Sequence, residues 1–151
     1  MKKITTILML IFLSLNFISC SKKQTVELFL SNYVDYRLSS SQTIEGVLER
    51  TTGILQQKYS MISEKAFLSE NRRIKNYKKK DVKILRKKCD ETNSNCSITF
   101  IIKYAVFEKE SKTFEVEVKK IAELKKIDDE WKISNFNNLK TYIESTENIE
   151  P

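Results

Sequence analysis

The chain contains no histidine. That removes the commonest transition-metal ligand and the side chain that most readily shuttles protons near neutral pH. It also excludes Ser-His-Asp and Cys-His nucleophile arrangements. Two glycines and one proline among 151 residues leave no glycine-rich loop to cradle a phosphate, and they point to long elements joined by polar turns. Three cysteines do not make a dense disulfide framework. The paired acids Glu115 and Glu117 share one strand face and read as solvent-facing alternation. The residues therefore assign no catalytic group, no metal site and no cofactor.

What is present begins at the N-terminus. Met1-Lys2-Lys3 precedes an apolar run from Ile4 to Ile18 and a small residue, Ser19. This is the layout of a secretory signal peptide. With Cys20 next, Phe17-Ile18-Ser19-Cys20 resembles the lipobox of a bacterial lipoprotein signal, carrying Phe where Leu is usual. The resemblance implies cleavage before Cys20, diacylglyceryl and acyl chains on that residue, and an exported, membrane-anchored protein. Two chains anchor stably where one does not. Ser21 points to the outer membrane if the cell is Gram-negative. An uncleaved anchor is an alternative, although its apolar stretch of about 16 residues falls short of the roughly 20 that span a bilayer. A signal peptide cut elsewhere is another.

On this reading residues 1–19 are signal peptide, 20–23 the lipidated cysteine and a short tether, 24–143 one domain, and 144–151 a flexible tail. Loss of Lys2 and Lys3 lowers the formal charge from +7 to +5. The domain stays basic and favours anionic partners.

Apolar spacings of three and four predict a helix over Lys22–Leu38, with Val26, Phe29, Leu30, Tyr33 and Val34 on one stripe. A second helix from Thr43 carries Ile44, Val47, Leu48, Thr51 and Leu55, with Gly53 as its end or bend. Ser63 reads as the N-cap of a third, carrying Phe67, Asn71 and Ile74. After Tyr77 the period changes to two. Val82, Ile84 and Leu85 mark one strand. Ile98 to Val106 and Phe114 to Leu124 mark two longer ones, and Trp131–Phe136 a fourth, with Trp131 as a core anchor. Leu139, Tyr142 and Ile143 predict a short closing helix. The expected fold is α+β, with N-terminal helices packed on a curved, cone-like, antiparallel four-stranded sheet. This order, closing on Asp129-Glu130-Trp131-Lys132-Ile133-Ser134, resembles the nuclear transport factor two superfamily. A cystatin-like or other helix-on-sheet domain gives the same string. Some members of that superfamily are enzymes holding a small apolar molecule between helices and sheet and using Asp, Tyr or His. Here Tyr33, Asp35 and Tyr36 lie in a comparable place, with Tyr33 reading as core and Asp35 as exposed.

Cys89 and Cys96 flank a polar hairpin loop and read as a disulfide; a redox or metal pair would favour Cys-x-x-Cys spacing or further ligands. Arg72, Arg73, Lys75, Lys78, Lys79, Lys80, Lys83, Arg86, Lys87 and Lys88 form a run broken by one acid, Asp81. It reads either as a solvated face or as a surface for anionic lipid or glycan, held near the bilayer by the short tether. Nucleic acid has no motif support. The expected function is a non-catalytic envelope lipoprotein that binds a ligand, or a protein partner or second copy through the sheet face. The alternatives are an assembly subunit of a secretion or conjugation apparatus and an isomerase- or cyclase-type enzyme.

Overall fold

The computed structural model describes residues 24–74, 76–108 and 111–145. Helix α1 spans Val26–Arg37 and buries Val26, Leu30, Tyr33 and Val34 of the predicted stripe, with Phe29 partly buried beside them. Thr25 caps it, its hydroxyl accepting the Leu28 amide at 3.3 Å. The second helical pattern divides into α2, Ile44–Glu49, and α3, Gly53–Ser60. Gly53 has φ +56°, a left-handed value that glycine adopts without a Cβ clash. Helix α4 spans Glu64–Ile74, and Ser63 caps it by accepting the Ala66 amide at 3.3 Å.

Four strands follow: β1 Tyr77–Cys89, β2 Asn95–Glu108, β3 Ser111–Ile127 and β4 Glu130–Ser145. They form an antiparallel meander in the order β1-β2-β3-β4. Val26, Leu30, Tyr33 and Val34 of α1, with Leu55 of α3, pack on Ile98, Phe100, Ile102, Ala122, Leu124 and Ile133 of the sheet. Trp131 is only partly buried at the edge of this cluster, so it flanks the core instead of anchoring it.

The expected fold class, N-terminal helices packed on a cone-like sheet of four strands, is corrected. Strand accounts for about 49% and helix for about 32% of the structure, and the sheet has a fifth position. Outside the four strands, Thr51 makes a single parallel bridge to Ile133. The Thr52 amide donates to the Ile133 carbonyl at 2.8 Å, and the Ile133 amide to the Arg50 carbonyl at 3.0 Å. The helical segment is thus tied into the sheet edge by backbone groups that the α2–α3 break would otherwise leave unpaired.

The predicted closing helix is also corrected. Leu139, Tyr142 and Ile143 lie in β4, which stays paired with β3 to the Phe114–Ser145 pair. β3 offers a long row of backbone partners, whereas a helix this short nucleates poorly by itself. The register skips Leu139 between the Lys119–Lys140 and Lys120–Asn138 pairs. This bulge shifts the alternation by one residue and mimics a helical spacing.

Cys89 and Cys96 face each other at the end of the β1–β2 hairpin, with their Cα atoms 4.1 Å apart and their sulfurs bonded. In the loop, Asp90 accepts from Asn95 Nδ2 at 2.6 Å, the Ser94 amide at 2.8 Å and Thr92 Oγ1 at 3.1 Å. These bonds, that of Asn95 foremost, hold its carboxyl down from the usual 3.8 to about 2. Because the folded pKa is depressed, the loop's contribution is complete above about 3.8 and is lost as pH falls through about 2. Thermal midpoints followed across that window should fall more steeply for the native protein than for Asp90→Asn. Parallel curves would show that these bonds do not contribute to stability.

Candidate functional site

A cleft of about 680 Å³ opens between the helices and the helix-facing side of the sheet. It lies at the Tyr77 end of β1, away from the disulfide hairpin. Its walls are Tyr33, Val34 and Arg37 of α1, Leu55, Lys58 and Tyr59 of α3, Glu70 and Ile74 of α4, and Ile102, Tyr104, Val118, Lys120 and Phe136 of the sheet. Tyr77, Asn137, Asn138 and Thr141 complete the rim.

Arg37 continues the inward stripe of α1, three residues after Val34 and seven after Leu30. Its guanidinium donates to Gln42 Oε1 and to Glu70 Oε1, the latter at 3.1 Å. It also lies 5.1 Å from the Tyr59 ring centroid and 5.8 Å from that of Phe67. Gln42 Nε2 in turn donates to the Arg37 carbonyl at 3.1 Å, and the Gln42 carbonyl accepts from buried Asn71 at 3.4 Å. The cation is therefore held in one orientation before anything binds.

Lys120 holds the inward phase of β3, between Val118 and Ala122, both buried. Its ammonium donates to Asn138 Oδ1 and sits 5.0 Å from the Phe136 ring centroid. Burial, and then the nearby Arg37 charge, push its pKa below the usual lysine range. Burial likewise raises the Tyr33, Tyr59 and Tyr104 hydroxyls, so these phenols stay protonated and serve as hydrogen-bond donors. Tyr77 and Tyr104 stack along one wall, with centroids 4.9 Å apart. Among the described residues the lining thus combines aromatic faces, phenol donors and amides with three cations, Arg37, Lys58 and Lys120, against one carboxylate, Glu70.

Of the three α1 residues singled out in the sequence, Tyr33 lies in the cleft. Asp35 is on the outside of α1, paired with Lys79. Tyr36 is structural: its hydroxyl accepts the Thr43 amide at 2.8 Å, and Arg50 covers its ring at 4.4 Å. Sequence reasoning passed over Arg37 and Lys120. The available signal was a charge on an otherwise apolar face, one at helical spacing and the other at strand spacing.

The described members of the basic run divide between the two faces of β1 and the exposed side of α4. Lys79 and Lys87 pair across the sheet with Tyr104 and Ile98, residues of the helix-facing side, and they reach Asp35 and Glu27 of α1. Lys78, Lys83, Arg86 and Lys88 stand in the other phase, opposite Ala105, Ile101, Thr99 and Ser97. Lys78 sits 4.5 Å from the Phe107 ring centroid. Arg72 is exposed on α4. Cys20 and Lys75 lie outside the described residues, as do the side chains of Arg73 and Lys80. Glu117 pairs with Lys103 at 2.7 Å on the sheet face away from the helices. Among the described residues no cluster of acids and cysteines could hold a metal ion, and no helix is long and apolar enough to cross a membrane.

No protein-family model matches the chain, and no curated protein matches it. Among solved structures the chain is similar to the solution structure of a SEC-C motif-containing protein from Rhodopseudomonas palustris. Identity is 13% over 78% of this chain and 81% of that one, with a TM-score of 0.53. At that identity the likeness concerns the fold alone.

Proposed function

We propose that the protein is a non-catalytic, envelope-tethered binding module, anchored by acyl chains on Cys20, that holds a small molecule in the cleft between its helices and sheet. The observation that carries this reading is the cleft itself. A volume of about 680 Å³ falls within the range of small-molecule sites, as does a lining of apolar and aromatic faces with a few fixed polar groups. Binding is favoured over reaction because burial moves the lining phenols Tyr33, Tyr59 and Tyr104 further from neutrality, which suits donors and not bases. Lys78, Lys83, Arg86 and Lys88 on the opposite sheet face support an additional hold on an anionic surface. Exposed Leu139, Tyr142 and Ile143 on β4 support a protein partner there.

One mass spectrum of the full chain, extracted from membranes in a neutral detergent, tests both halves. A covalent acyl mass should survive denaturation and vanish in Cys20→Ala. A second, non-covalent mass should vanish on denaturation and be absent from Thr141→Trp, which places an indole beside Val118 in the cleft. Absence of the acyl mass overturns the tether. A cleft without an occupant, or an occupant equally retained by Thr141→Trp, overturns the binding site.

A further inference from the structure

The charges that line the cleft do not balance, and they stand where imbalance is costly. Among the described residues Arg37 has one acidic partner, Glu70, which is half exposed while the arginine side chain is only 14% exposed. Lys120 is turned into the same space, and the hydrogen bond it makes among the described residues goes to a neutral amide oxygen, Asn138 Oδ1. Two cations thus face one partly desolvated volume, each raising the cost of the other's charge. A like-charge pair in a core position is normally removed by substitution or neutralised by an acid. Here both cations sit in the inward phase of their elements and are held by neighbours: Arg37 by Gln42, Glu70, Tyr59 and Phe67, Lys120 by Asn138 and Phe136. A bound anion reverses the sign of both interactions at once. It meets donors already oriented, so little ordering is lost on binding.

The rest of the lining describes what carries the charge. The stacked Tyr77 and Tyr104 rings, Phe136, Ile102 and Val118 offer flat apolar surface beside the cations. We propose that the cleft takes a small organic anion with a flat, aromatic body, its charged head between Arg37 and Lys120 and its body along the Tyr77–Tyr104 wall. This inference rests on the cleft being the binding site.

The test uses the full chain in a neutral detergent and three probes with one body and different heads: 2-naphthoate, 2-naphthamide and 2-naphthylmethylamine. Each is titrated calorimetrically, with protein-free detergent as the blank. The expected result is binding of the naphthoate at least tenfold tighter than the amide, and no binding of the amine. Lys120→Met should bring the naphthoate to the level of the amide, and amide still bound by that variant shows that its cleft is intact. Lys120→Arg should keep the preference, which also serves as the control for a folding defect in the methionine variant. Equal binding of acid and amide, both lost in Thr141→Trp, overturns the head-group inference while the cleft reading stands. So does failure of all three probes when the mass spectrum still shows an occupant. Naphthoate binding that Thr141→Trp leaves intact overturns both.

Discussion

Replacing Phe100 by alanine should lower the unfolding free energy by about 3–5 kcal/mol, the range for a buried aromatic truncated in a core that cannot close over the gap. Phe100 has no exposed surface. It stands mid-strand in β2, opposite Ile84 on one side and Lys120 on the other, and its ring centroid lies 5.6 Å from that of Phe136. Phe136 in turn supports the Lys120 ammonium and touches Tyr33 edge-on at 6.0 Å. The truncation therefore removes dispersion contacts from α1, β1 and β4 together, and it loosens the seat of one of the two cleft cations. A loss of this size is a large part of the roughly 5–15 kcal/mol that holds a domain folded. Urea unfolding at neutral pH should show a lower midpoint with an unchanged slope. A shift worth less than about 1 kcal/mol would mean that helix and sheet repack over the gap, contrary to the close packing seen around Phe100.

Opening the Cys89–Cys96 bridge should cost about 2.5 kcal/mol by the entropy of the small loop it closes. Two features keep the cost near this figure. The cysteines are directly paired across β1 and β2, so the bridge asks for no rearrangement of the hairpin. Cys96 is also buried in the core cluster, so the reduced thiol remains packed. Urea midpoints of the unreduced protein with and without a reductant isolate the bridge. Cys89→Ser with Cys96→Ser should lose more, because a hydroxyl then replaces sulfur at a buried position. Equal midpoints with and without reductant would show that the bridge does not stabilise the hairpin.

The sequence and the structure agree where a pattern is local. The stripe Val26, Leu30, Tyr33, Val34 is buried as a helix face because a 3.6-residue period points those side chains one way whatever lies opposite. Ile98, Phe100 and Ile102 alternate inward for the corresponding reason in a strand. They disagree where a long-range partner overrides the local signal. Leu139, Tyr142 and Ile143 carry helical spacing, yet the free edge of β3 draws them into a strand, and the bulge at Leu139 absorbs the mismatch in phase. Thr51 belongs to a helical pattern, and its bridge to Ile133 is invisible without the sheet edge it meets. The ten cations between Arg72 and Lys88 look like one patch along the chain. The pleat of β1 sends Lys79 and Lys87 to one side, against Asp35 and Glu27, and Lys83 and Lys88 to the other.

The candidate site divides in the same way. The inward direction of Arg37 and Lys120 was carried by the sequence although the reading passed over both, because helix and strand periods set the direction of a side chain from its own neighbours. The sequence by itself determined equally that Cys89 faces Cys96 across a short polar loop. Only the tertiary structure decided that the two inward cations share one cleft. Period sets direction but not partner: which helix face lies over which strands depends on how the whole apolar surface is buried, and that is a property of the assembled layers. The Tyr77–Tyr104 wall and the anchoring of Arg37 by Glu70 belong to that assembly as well, since each joins elements that no local pattern connects.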